Sequence, residues 1–104
     1  PAVNAKALAA ARSVLVRLRD VGILPLRVMP SVEGGVVFVL AAPPRYADIE
    51  CFNNGKVMIG LSPDDDDSRV VEVTRSSLIR EVPRLRAFIQ TYDSETDVEG
   101  GSEG

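Results

Sequence analysis

Asp48 and Glu50 are the residues whose types and spacing come nearest to a catalytic pair. They stand two apart in Tyr46-Ala47-Asp48-Ile49-Glu50-Cys51-Phe52, an alternating run. On a strand both carboxylates therefore share one face with Tyr46 and Phe52. Paired carboxylates serve acid–base chemistry when one gives a proton and the other takes one. Nothing around them resembles a glycosidase or nuclease site, and a polar outer sheet face accounts for both. The opposite set, Ala47, Ile49 and Cys51, is expected to face the core, because the alternative buries two carboxylates.

Other candidate chemistry is thinner. Asp64-Asp65-Asp66-Asp67 offers oxygens of the kind that hold calcium or magnesium. Consecutive aspartates do not converge on one ion without a dedicated loop, and the EF-hand spacing is absent, so a solvated loop is the simpler reading. Cys51 is the sole cysteine, which rules out an intramolecular disulfide or a cysteine zinc cluster. The chain has no histidine to activate the thiol, and none to act as acid, base or metal ligand. Gly34-Gly35 precedes a β-prone run rather than a helix and reads as a turn, not a phosphate loop. No catalytic, metal-ligating or cofactor-binding residue is assigned, and no cofactor is expected.

The arginines are the remaining candidates. Arg12 and Arg19 are seven apart and fall on one helical stripe, while Arg80, Arg84 and Arg86 crowd a second helical segment together with Arg75 and a single Glu81. Clustered guanidinium groups bind phosphate or a partner's carboxylates; the plainer reading is a solvated helix face. These five, Arg12, Arg19, Arg80, Arg84 and Arg86, are the candidate contacts for a protein partner or a nucleic acid.

The elements that must carry these residues follow from periodicity. Residues 4–21 read as a helix: Ala7, Ala11, Val14, Leu15 and Leu18 fall on one arc, with Asn4 as N-cap and Gly22 just past the end. Strands follow at Leu26–Met29, Val36–Leu40, Tyr46–Phe52, Val57–Leu61 and Val70–Val73. Asn53-Asn54-Gly55-Lys56 predicts a type I′ hairpin with positive φ at Asn54 and Gly55. Leu78, Val82, Leu85 and Ile89 then mark a second helix, capped by Thr74 or Ser76. Pro83 suggests that this helix begins there, after a turn or short helix over 76–81.

The fold class is α+β: an N-terminal helix, an antiparallel meander of about five strands, a C-terminal helix and a disordered acidic tail. Residues 1–92 form the single domain. Residues 93–104 hold five carboxylates and no base, so of the net −3 the first 92 residues carry +2. This mild charge, with few aromatic residues, argues against a nucleic-acid specialist. No apolar run is long enough for a membrane span and no signal-peptide pattern opens the chain, so a cytoplasmic protein is expected. The chain begins at Pro1, which suggests processing or a fragment of something longer.

The stretch Val28-Met29-Pro30-Ser31-Val32-Glu33-Gly34-Gly35-Val36-Val37-Phe38, followed by Arg45-Tyr46-Ala47-Asp48-Ile49-Glu50-Cys51-Phe52-Asn53-Asn54-Gly55-Lys56, resembles a group of small bacterial and phage-borne proteins. Their pattern is a helix, a P-S/T-x-x-G-G turn, a strand and a Y-x-x-I-E-x-x-x-x-G hairpin. The resemblance spans residues 4–90. It implies an accessory or antitoxin-like, partner-binding role. Members carry a Trp-Asp-Gly-Tyr-like segment before the first helix, which does not occur in residues 1–104. The functional expectation is a non-enzymatic protein-binding module, with a nucleic-acid-binding protein as the alternative. Apolar residues on both faces of Val36–Leu40 and Val57–Leu61 further suggest that the free sheet face is covered, by a second copy in a homodimer, by a different partner or by a segment upstream of Pro1.

Overall fold

A computed structural model of the chain describes residues 2–64 and 67–103, with side chains described except at 64, 67, 75 and 91–103. The element order is α1 (Ala5–Asp20), β1 (Arg27–Pro30), β2 (Gly35–Ala41), β3 (Tyr46–Phe52), β4 (Val57–Asp64), β5 (Asp67–Val73) and α2 (Arg75–Glu103). The five strands form one antiparallel sheet in sequence order, the expected meander. The acidic stretch 93–104, expected to be a disordered tail, falls among the side chains that are not described.

Both helices lie on one face of the sheet. α1 packs on β2 and β3, and α2 packs on β5 and on α1. Asn4 caps α1 by accepting from the Ala7 N–H at 3.0 Å, which satisfies one of the donors a helix start leaves open. At the other end Gly22 takes φ +77°, and the Ile23 N–H returns to the Leu18 carbonyl at 2.9 Å. Ala7, Ala11, Val14 and Leu18 are buried. Leu15, expected among them, is exposed, because it stands at the arc's margin on the side away from α2.

The core joins this arc to Phe38, Leu40, Ala47, Ile49, Cys51, Val57, Ile59 and Val73 of the sheet and Leu78, Val82 and Leu85 of α2. Ile49 and Cys51 face inward as expected, and Asp48 and Glu50 face out.

Three local readings are corrected. First, the β3–β4 turn is not type I′. Among the described residues only glycines have positive φ, so Asn54 does not. The Gly55 N–H donates to the Phe52 carbonyl and the Phe52 N–H to the Lys56 carbonyl, both at 2.9 Å, with Gly55 at φ +87°. That is a three-residue loop in which a single left-handed glycine closes the hairpin. Second, α2 begins at Arg75, and Pro83 lies inside it. Thr74 and Ser77 cap it reciprocally: the Ser77 N–H donates to Thr74 Oγ1 at 3.2 Å and the Thr74 N–H to Ser77 Oγ at 2.8 Å. Pro83 is exposed, and Ile79, whose carbonyl loses its helical partner, is 51% exposed. Water can take that carbonyl, so the proline is tolerated. Third, β4 runs through Pro63 to Asp64, and Asp64 pairs with Asp67. Pro63 stands where the ladder register shifts, between Leu61 and Asp64, so its missing N–H need not interrupt a regular bond. Of the expected acidic loop, Asp65 and Asp66 lie outside the described residues.

Candidate functional site

Two surfaces gather the residues with chemistry. The first is the helix-free face of the sheet. Asp48 stands opposite Gly60 and Val39, and Glu50 opposite Met58 and Val37. Each carboxylate has a hydroxyl partner. The Tyr46 hydroxyl donates to Asp48 Oδ2 at 2.8 Å, and the Ser31 hydroxyl donates to Glu50 Oε2. Ser31 is buried at the β1–β2 turn and also accepts from the Glu33 N–H at 3.2 Å.

Gly60 makes room here. A Cβ at that position would come within 2.5 Å of Asp48 Oδ1, so the carboxylate occupies the space a side chain would fill. The result is a hollow of about 180 Å³ lined by Tyr46, Asp48, Glu50, Met58, Gly60 and Val70 among others. Burial, then the bond to Asp48, pushes the Tyr46 phenol up to about 12. Burial also raises Asp48, and the charge of Glu50 adds to this, while the hydrogen bonds from Tyr46 and the Gly60 backbone act the other way. Behind this face, burial and the Glu50 charge push the Cys51 thiol up to about 12, the opposite of what an activated nucleophile needs. Among the described residues no group of three or more Asp, Glu, Cys or His is placed to hold a metal ion.

This face is not the apolar patch expected from its valines. Val39 is only 4% exposed although no helix covers it; its cross-strand partners Arg27 and Asp48 flank it. Val37 is half-buried, and Lys56 pairs with Glu72 at 3.7 Å.

The second surface is the flank of α1 turned away from α2. Residues 8, 12, 15 and 19 recur at helical spacing, so Leu8, Arg12, Leu15 and Arg19 form one stripe. All four are exposed. The opposite flank, with Ala10, Ser13 and Arg17, meets the α2 side through Ser76, Leu78 and Ile79. At its C-terminal end the stripe runs into a hollow of about 330 Å³ lined by Leu15, Leu18, Arg19, Gly22, Ile23, Leu24 and Pro25. Leu24 is 86% exposed there. Val28, opposite Phe38 and so on the helix-bearing face, is also open to solvent.

The five candidate arginines do not form one surface. Arg12 and Arg19 share the far flank of α1; Arg80, Arg84 and Arg86 are exposed on α2. Arg80 and Arg84 are one turn apart, whereas Arg86 points to a different side of the helix. Arg84 meets Glu81 at 3.2 Å, and Arg19 lies 3.7 Å from Asp20. Such exposed pairs contribute little to stability. Arg45, absent from the sequence candidates, stacks over the Phe88 ring at 4.4 Å and ties the β2–β3 loop to α2. The signal for the α1 surface was present in the i, i+4, i+7, i+11 spacing of Leu8, Arg12, Leu15 and Arg19.

No family model, curated protein or solved structure matches the chain. Among the described residues, no helix is long and apolar enough to cross a membrane.

Proposed function

We propose that the protein is a non-enzymatic binding module of the cytoplasm that engages a protein partner through the α1 flank. The observation that carries this reading is the exposed stripe Leu8-Arg12-Leu15-Arg19 running into the hollow at Leu24. Leucines held in water beside guanidinium groups suit a surface that buries apolar area while pairing carboxylates at its rim. Leucines interleaved with arginines add nothing to phosphate binding, so the stripe favours a protein over a nucleic acid. The accessory or antitoxin-like role that the resemblance implies is a role of this kind.

Site-specific photo-crosslinking in cells that make the protein tests the reading. A crosslinker at Leu15 or Leu24 should give one discrete protein adduct that survives nuclease treatment. One at Arg80 should not, and Arg12→Glu with Arg19→Glu should abolish the adduct. Equal crosslinking at all three positions, or adducts that vanish with nuclease, would remove the assignment.

A further inference from the structure

The geometry points to the outer edge of β5 as a self-pairing edge: two copies of this chain join β5 to β5 antiparallel, making one continuous ten-stranded sheet. This rests on backbone directions and does not depend on the α1 flank.

Strand edges differ in what they offer. In the β3–β4 hairpin the Phe52 N–H bonds to the Lys56 carbonyl, which fixes the alternation across the sheet. Met58 and Gly60 therefore turn their backbone groups toward β3, and Val57, Ile59 and Leu61 turn theirs toward β5. The partners of the latter are Val73, Val71 and Arg69. This leaves the N–H and C=O groups of Ser68, Val70 and Glu72 directed away from the sheet. At the opposite edge, β1 is four residues long. The same alternation, set by the Ser31 N–H bond to the Gly35 carbonyl, turns Leu26, Val28 and Pro30 outward. Pro30 has no N–H, and the Leu26 N–H already donates to the Val39 carbonyl at 2.8 Å. One outward amide remains at β1, against three at β5. Natural sheets blunt an edge with proline and short length, and β1 shows both devices. β5 has seven residues and no proline.

The side chains at the middle of β5 agree. Val70 is 65% exposed on the helix-free face. Val71 is 46% exposed on the helix-bearing face, so α2, which packs on β5, leaves this position at the edge open to a second strand. A two-fold axis at Val70 puts Val70 opposite its own copy, Ser68 opposite Glu72 and Arg69 opposite Val71. All three outward residues then pair through their backbones, and no like charges face each other. Shifting the axis to Glu72 would oppose two carboxylates. The surface is self-complementary, as a two-fold interface must be.

Sedimentation velocity across a concentration series tests the pairing. The wild-type chain should dimerise reversibly. Val70→Lys places two ammonium groups on the axis, and Val70→Pro deletes the amide there without touching the β4 ladder. Each should raise the dimer dissociation constant at least about tenfold, a loss of about 1.4 kcal/mol. Leu15→Glu, on the α1 flank, should leave it unchanged. Far-UV circular dichroism checks that the variants fold; if Val70→Pro does not, Val70→Lys still decides. A wild-type chain that stays monomeric at millimolar concentration overturns the proposal. So does a dimer that survives Val70→Lys, or one that Leu15→Glu dissolves instead.

Discussion

Asn4 and Asn53, 49 residues apart, clasp the start of α1 to the β3–β4 hairpin. The Asn4 N–H donates to Asn53 Oδ1 at 3.0 Å, and Asn4 Nδ2 donates to the Asn53 carbonyl at 2.9 Å. Asn53 Nδ2 in turn donates to the Ala2 carbonyl at 2.8 Å. Asn4 still caps its own helix through Oδ1. One side chain thus ends a helix and docks it. Asn4→Ala should cost about 1–2 kcal/mol, the usual loss of an N-cap. Asn53→Ala should cost about 1 kcal/mol. The double variant should cost less than the sum, because each substitution removes one of the two bonds between Asn4 and Asn53 and so already loosens the junction that the other bond holds. Denaturant unfolding of the four proteins measures this; strictly additive losses would show that the clasp carries no coupling.

Gly35 and Gly55 both have positive φ, but they differ in what surrounds them. A Cβ at Gly35 would lie 1.9 Å from the Cys51 carbonyl oxygen, at the end of the β2–β3 ladder where Gly35 pairs with Phe52. At Gly55 the nearest atom is Lys6 Cβ at 4.0 Å. Gly55→Ala should therefore cost only the backbone strain, about 1 kcal/mol. Gly35→Ala must part the end of β2 from β3 and should lower the calorimetric melting temperature well below that of Gly55→Ala. Similar melting temperatures for the two variants would contradict this.

The two glycines also show what the sequence can and cannot reveal. The Gly34-Gly35 turn was legible from composition, because only glycine suits such a conformation. The strand order was legible too, since short connections force antiparallel neighbours. The hairpin at Asn53-Asn54-Gly55-Lys56 was legible as a turn but not in type. The same Asn-Asn-Gly suits a two-residue loop or a three-residue loop closed by one left-handed glycine, and the Lys56 N–H bond to Asn54 Oδ1 accompanies the longer one, so composition alone does not choose between them. Likewise Leu15 read as core because periodicity fixes an arc but not where its edge meets the sheet. The hollow at Asp48 was not legible at all: it depends on Gly60 standing opposite Asp48, a cross-strand register that spacing alone does not supply.

Pro83 should be the simplest stabilising substitution. It sits inside α2 on the solvent side, with Val82 and Leu85 buried beneath. Pro83→Ala restores the amide donor to the Ile79 carbonyl and disturbs no core contact. A proline inside a helix costs up to about 3 kcal/mol relative to alanine. The gain should be about 1–3 kcal/mol, seen as a higher denaturant midpoint with an unchanged slope. An unchanged midpoint would mean that the helix already accommodates the proline without cost.

Asp48 should make stability depend on pH in the sense opposite to a salt-bridged aspartate. Its carboxyl is raised in the folded state, chiefly by burial. A group whose folded pKa lies above its unfolded value favours the fold while protonated. That contribution is complete below the unfolded value, about 3.9 for aspartate, and is lost as pH rises through the folded value. Asp48→Asn keeps an oxygen for the Tyr46 hydroxyl and cannot ionise. The melting temperature of Asp48→Asn minus that of wild type should therefore become more positive between about pH 3 and pH 7. Tyr46→Phe has the opposite logic. The Tyr46 hydroxyl favours the ionised carboxylate, so its removal should move the Asp48 titration midpoint higher still, as read by carbon NMR of the side-chain carboxyl. A pH-independent difference for Asp48→Asn, or a lower midpoint in Tyr46→Phe, would show that the hydroxyl and the hollow at Gly60 do not set the ionisation of this carboxylate.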